Sequence, residues 1–342
     1  MKRKLEDILT VGCLLLAPLG LASCHGKRNQ QEQTSPARAS LRLKWIYDPG
    51  FAGEMVAARA GYFSQNGLDL EIRPGGFEAD PIKLVAAGSD TFGVAGADSF
   101  LLARAKGVPV VAFAAGYLQT PVVFYVHADS AIKTPRDFVG KRVGVQAGQD
   151  TETVYQAVLK KSGVSRDHIK EVPVRYDFTP FLTHQVDVWP GYAATQSYIL
   201  EQRKIPYRII QPSDFGVSYL GTVYFTSGSY ATRDPQAVQA FVNGIILGWN
   251  LVYSNYERAI PMIASFDLKT LTPDLIRFNL DRQRPFILPP GRQYCDFSAG
   301  DWEALSQTLA DLKLLQNQTQ VDLKAAVTMK FLDSRYRRAG AR

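Results

Sequence analysis

From Leu41 onward, short apolar runs alternate with longer stretches of helical periodicity, and this alternation narrows the possible folds more than any other feature. Leu41 to Ile46 precedes Glu54 to Ser64, Leu68 to Ile72 precedes Ala79 to Ala87, and Thr91 to Ala95 precedes Ser99 to Lys106. Strand and helix patterns in this succession build βαβ units, and so a largely parallel sheet with helices on its faces. Asn66-Gly67 supplies the positive-φ turn that returns the chain to its second strand. Val108 to Ala115 is continuously apolar, as expected of a strand covered on both sides.

A second series starts near His127. Thr134-Pro135-Arg136-Asp137 reads as a capped helical turn, Arg142 to Gln146 as a strand, Thr151 to Ser162 as a helix, and Val186 to Trp189 and Tyr207 to Ile210 as further strands. Val223 to Thr226 reads as a return strand, after which the pattern is mostly helical. Asp234-Pro235 caps a long helix to about Tyr253, Thr272-Pro273 opens another, and Ser298 to Leu315 forms a third. The expected organisation is therefore one lobe from 41–126 plus 223–335 and a second from 127–222, the carboxy-terminal helices packing back on the first. Two such lobes bind ligands where the carboxyl ends of strands meet helix amino termini.

Composition removes several function classes. The formal charge of +7 comes from 39 basic and 32 acidic residues interleaved along the chain, without the basic stripe that nucleic acid requires. No nucleic-acid partner is expected. Three cysteines, two of them within the first 24 residues, leave no disulfide framework or cysteine zinc site in the body, and Cys295 reads as a buried thiol. The four histidines show no metal-ligand spacing.

Residues 1–23 have the layout of a secretory signal peptide: a basic start, then an apolar run too short to cross a bilayer, which takes roughly 20 residues. The run ends Leu21-Ala22-Ser23-Cys24, which looks like a bacterial lipobox with Cys24 as the acylated residue. An ordinary signal peptide with an incidental cysteine is the alternative. Residues 24–40, rich in Gln, Arg and Ser, read as a flexible tether between a membrane-held lipid and the folded body.

The loops at strand ends hold the candidate site. Trp45, Tyr47, Asp48 and Phe51 follow the first strand, with Glu54 at the next helix start; Asp98 and Ser99 follow the third. Gln149, Asp150 and Glu152 lead into the second-lobe helix, and Trp189 and Tyr192 close a later unit. Aromatic rings stack on flat heterocycles, while carboxylates and amides pair with ring nitrogens and exocyclic amines. An Asp before a helix is usually an N-cap, so Asp98, Asp150 and Asp187 each read first as structural. Glycine patterns for dinucleotide or nucleotide phosphates are missing, as is a hydrolase nucleophile elbow.

Trp45 through Gly53, Ala60-Gly61-Tyr62-Phe63, Asn66-Gly67-Leu68-Asp69-Leu70, Gly93-Val94-Ala95-Gly96-Ala97-Asp98 and the stretch from Ile132 to Val145 together resemble the NMT1/THI5-like family of ABC-transporter substrate-binding proteins. The resemblance runs from about Leu41 to Tyr230 and rests on the ordered series. It implies an α/β, two-lobed type II periplasmic-binding-protein fold, each lobe a mostly parallel sheet flanked by helices. It also implies an exported, lipid-anchored monomer that hands a small ligand to an ABC permease and its ATPase, with neither catalysis nor a cofactor. Among the family's ligands, thiamine pyrimidine precursors of the formylaminopyrimidine or hydroxymethylpyrimidine type suit the aromatic loops best, with riboflavin next. Sulfonate or nitrate remains open through Ser99 and Thr151. On that reading Trp45 and Tyr192 stack the ring, Trp189 walls the cleft, Asp48, Glu54 or Glu152 accept from ring amines, and Gln149 also touches the ligand. Asp98 and Ser99 add first-lobe polar contacts. Where many members have Asn-Glu-Pro, this chain has Thr195-Gln196-Ser197, which leaves the exact ligand open. Fungal members are pyrimidine synthases that use pyridoxal phosphate and carry a cysteine-rich segment, and nothing like that segment occurs here. A sensory lipoprotein is the third class.

Overall fold

The hydropathy alternation resolves into two five-stranded sheets, each flanked by helices. The computed structural model describes residues 36–76, 78–315 and 321–336; the expected signal segment and Cys24 lie outside them. The strands are β1 (Ala37–Arg42), β2 (Leu68–Arg73), β3 (Phe92–Gly96), β4 (Val110–Tyr117), β5 (Val122–His127), β6 (Arg142–Val145), β7 (Lys170–Pro173), β8 (Val188–Tyr192), β9 (Tyr207–Ile210) and β10 (Thr222–Ser227). The first sheet runs β2-β1-β3-β10-β4 and the second β7-β6-β8-β5-β9. β1, β2 and β3 pair in parallel, as do β7, β6 and β8, whereas β10 in the first sheet and β5 in the second run antiparallel to both neighbours. These two return strands are where the chain crosses between lobes.

Two expected boundaries move. β5 belongs to the second sheet, so the first crossing falls between Tyr117 and Val122 and not at 127. β4 and β5 are both apolar throughout, and hydropathy alone does not say which sheet takes a doubly covered strand. The tether also ends earlier than residue 40: Ala37 to Arg42 pair with Leu68 to Arg73, and Ser40 and Thr91 exchange backbone-to-hydroxyl bonds of 3.2 and 3.0 Å.

Local chemistry sets the helix starts. Asp48, Asp234, Thr272 and Ser298 each cap a helical segment through a side-chain oxygen, three of them with Pro in the first turn. Thr134 and Asp137 form a capping box around a short 3₁₀ turn, Pro135–Phe138. The long helix Pro235–Ser254 returns to the first lobe and lies on the Ala52–Arg59 helix at a glycine crossing. A Cβ on Gly248 would stand 2.1 Å from the Gly53 carbonyl oxygen, so the two backbones touch. Phe63, Phe92 and Phe113 meet Phe241 of that helix and close the first-lobe core. Cys295 is buried and unbridged. Among the described residues no helix is long and apolar enough to cross a membrane.

Candidate functional site

The strand pattern of β1 continues past its last ladder residue. Leu43 donates to the Arg73 carbonyl at 2.9 Å and is fully buried, so Lys44, one residue on, projects the other way, toward the second lobe. Its ammonium lies 2.6 Å from Asp150 Oδ2 and 2.7 Å from Tyr192 Oη. Asp150 opens the helix Asp150–Ser162 after β6, and Tyr192 ends β8, so one first-lobe lysine clasps two second-lobe elements. Tyr192 Oη donates to the same Asp150 oxygen, and Asp150 Oδ1 accepts from Thr151 N at 3.0 Å. Tyr192 is braced from behind by Tyr125, whose hydroxyl donates to its carbonyl at 2.9 Å, and by Gln196, which accepts from its amide at 2.8 Å.

The charges in this cluster are mutually tuned. Burial opposes ionisation of Asp150 and of Lys44, but each one's charge and hydrogen bond outweigh it for the other, so the acid's pKa is lowered and the amine's raised. Asp98, buried in the first turn of the helix Ala97–Ala105, is pushed the opposite way: burial first and then the Asp150 charge raise its pKa, against Lys44 and bonds from Thr153 and Ser99. Ser99, half-buried at the same helix start, donates its amide to Asp98 Oδ1 at 2.7 Å.

Next to the clasp along the chain, two rings meet across the lobes. Trp45 follows Lys44, and Tyr176 lies in the loop after β7; their centroids are 4.6 Å apart at 31°. Gln149 holds Tyr176 there by accepting from its hydroxyl at 3.1 Å. Beside Tyr192 a cavity of about 30 Å³ opens between Asp48, Tyr117, Thr195, Asn279, Gln283 and Phe286. Asp48 keeps its Oδ1 on the Gly50 amide at 2.7 Å, and burial raises its pKa against that bond. Tyr117 donates to Gln283 Oε1 at 2.8 Å, and Gln283 donates to the Pro49 carbonyl at 2.9 Å, which ties the helix Pro273–Ile287 to the first-strand loop.

Of the residues singled out from sequence, Trp45, Asp48, Asp98, Ser99, Gln149 and Tyr192 stand on these facing loops. Three do not. Trp189 is sealed against Phe178 in the second-lobe core, because it lies three residues from Tyr192 on one strand and so faces the opposite side. Glu54 is 1% exposed and points inward, taking the Tyr224 hydroxyl at 2.8 Å, with its second oxygen unpartnered. Burial pushes its pKa up to about 7 against that bond and its own backbone amide. Glu152, two positions past Asp150, turns to the far side of the helix, where it accepts from Gly148 N and Arg166. Asp187 holds Arg142 at 2.5 Å and braces β6, a structural duty as expected. Sequence reasoning missed Lys44, whose signal was the strand alternation beyond Arg42, and the second duty of Asp150. It also missed Tyr176, Tyr117, Asn279 and Gln283, which carried no local signal.

Residues 48–259 match the model of the NMT1/THI5 like family, more than half of the chain. The chain belongs to that family. It is 25% identical over 256 residues to a formylaminopyrimidine-binding protein of Halalkalibacterium halodurans, covering 73% of this chain and 76% of the relative. It is 23% identical over 300 residues to a 4-amino-5-hydroxymethyl-2-methylpyrimidine phosphate synthase of Legionella pneumophila, covering 86% and 92%. Among solved structures, the periplasmic aliphatic sulphonate binding protein SsuA of Escherichia coli superposes with a TM-score of 0.69 at 20% identity, covering 86% of this chain and 92% of that one. This family member therefore has the periplasmic-binding-protein fold that its sequence implied.

Proposed function

We propose that this family member is an exported solute-binding protein that holds a planar, amine-bearing heterocycle between its lobes, and that the heterocycle is a thiamine pyrimidine precursor of the formylaminopyrimidine or hydroxymethylpyrimidine type. The observation that carries the reading is the cross-lobe ring pair Trp45–Tyr176, whose Trp45 is the next residue after the Lys44 that binds Asp150 and Tyr192. A flat ring stacked on either aromatic would present its edge to those polar groups. The pair stands 4.6 Å apart, and a ring sandwiched between them needs about 7 Å, twice an ordinary carbon contact distance. Binding therefore parts the lobes at the rim. Sulfonate or nitrate fits less well: the two helix starts facing the cleft carry Asp98 and Asp150 on their own amides, where an anion would have to sit. The named specialisation of the Halalkalibacterium relative agrees.

On this reading residues 1–23 direct export, Cys24 carries the lipid, and an ABC permease receives the ligand when the lobes present together. The hydroxymethylpyrimidine and its formylamino counterpart should each raise Tm in proportion to the logarithm of their concentration, with the ligand recovered chemically unchanged. Absence of stabilisation by any of these compounds, riboflavin included, would refute the heterocycle reading. Conversion of the ligand would move the protein to the synthase class.

A further inference from the structure

The second crossing between lobes contains an orphaned hydroxyl. Tyr219 precedes β10, accepts from Thr120 N at 2.8 Å through its carbonyl, and is followed by Gly221, whose carbonyl accepts from Ala97 N at 3.1 Å. The segment is thus stitched to the first crossing on one side and to the start of the Asp98 helix on the other. Tyr219 is 6% exposed, and its Oη is buried with no hydrogen-bond partner. The groups that bear on this phenol are Asp98, Asp150 and Tyr192, one from the first lobe and two from the second; burial first and then their charges hold its pKa well above the ordinary value, so it stays an O–H donor. A buried hydroxyl left unpaired is rare in native proteins and costs stability. Here the orphan lies on a segment bonded to the start of the helix that carries Asp98.

We infer that Tyr219 is a specificity-determining residue, its hydroxyl donating to a ring nitrogen of the ligand while Asp98 accepts from the exocyclic amine beside that nitrogen. The inference rests on the heterocycle reading above and adds which edge is read. A carboxylate next to a phenolic donor matches an acceptor next to a donor, the pattern on the amidine-like edge of an aminopyrimidine. Nitrate and sulfonate carry no donor for Asp98. A pyrimidine without the amine leaves the carboxylate unpaired. Because Tyr219 sits just before β10, its bond to the ligand is made where the chain passes from one lobe to the other.

The test is Tyr219→Phe in the full mature protein, measured by thermal unfolding without ligand and by calorimetric titration with 4-amino-5-hydroxymethyl-2-methylpyrimidine. Removing an orphan hydroxyl should raise Tm by about 2 °C, while removing a ligand donor should weaken binding about tenfold. A pyridine analogue, with C–H in place of the ring nitrogen beside the amine, should bind wild type about tenfold more weakly and lose nothing further in the variant. A fall in Tm would show that the hydroxyl is already satisfied and overturn the inference. Unchanged affinity for the pyrimidine, or an additive loss with the analogue, would overturn it equally. If wild type takes up no heterocycle, the failure belongs to the heterocycle reading itself and this inference falls with it.

Discussion

Glu54 and Asp150 occupy matching places in the two lobes. Each stands in the first turn of the helix that follows a strand, the strand being β1 in one lobe and β6 in the other. Asp150 meets Lys44 from across the cleft and is held ionised, its side chain 11% exposed and the lysine's 25%. Glu54 meets a tyrosine inside its own lobe, keeps one oxygen without a partner, and has its pKa pushed up to about 7 by burial. An acid at a helix start is thus an ambiguous signal: what lies opposite in the folded chain decides whether it serves the cleft or loads the core. The acid answered by a distant lysine ties the two lobes together, and the acid sealed in the core stores a cost that depends on pH.

The larger expected effect comes from the sealed acid. In the unfolded chain Glu54 titrates near its ordinary 4.5 and in the fold near about 7, so between those values the native state binds more protons than the unfolded one. Stability then falls as pH rises through that window and levels off above it, a span of about 3 kcal/mol. Glu54→Gln should flatten that decline when urea unfolding is compared at pH 5 and pH 8. An undiminished decline would mean that Glu54 is ionised and solvated.

Next comes the answered acid. Asp150→Asn removes the charge facing Lys44 and should cost about 2 kcal/mol, the scale of a hydrogen bond to a charged group. Small-angle scattering should also show a larger radius of gyration, since the variant weakens a contact made only between lobes. Lost stability without expansion would make the clasp an ordinary structural ion pair and erase the contrast with Glu54.

Much of the architecture was legible from local signals. The βα alternation, the return strand at β10 and the caps at Asp234, Thr272 and Ser298 all depend on residues close in sequence, and they reappear in place. What was not legible depends on pairing at long range. Whether Val122 to His127 joined the first sheet or the second was undecided by hydropathy, because both sheets cover such strands on two faces. Trp189 could have been set aside from sequence, since strand parity already puts it opposite Tyr192. Tyr176 and Gln283 could not: each reaches the cleft from an element whose placement is fixed by packing far from its own position.

The central claim is that a heterocycle enters between Trp45 and Tyr176, and one property of the chain makes it directly testable. Of four tryptophans, Trp189, Trp249 and Trp302 are fully buried in cores, and Trp45 alone stands partly exposed at the cleft. Titration of the mature protein with 4-amino-5-hydroxymethyl-2-methylpyrimidine should therefore change indole fluorescence saturably, and Trp45→Phe, which still binds by calorimetry, should lose that change. An emission change that persists in Trp45→Phe, or binding with no change in wild type, would place the ligand elsewhere.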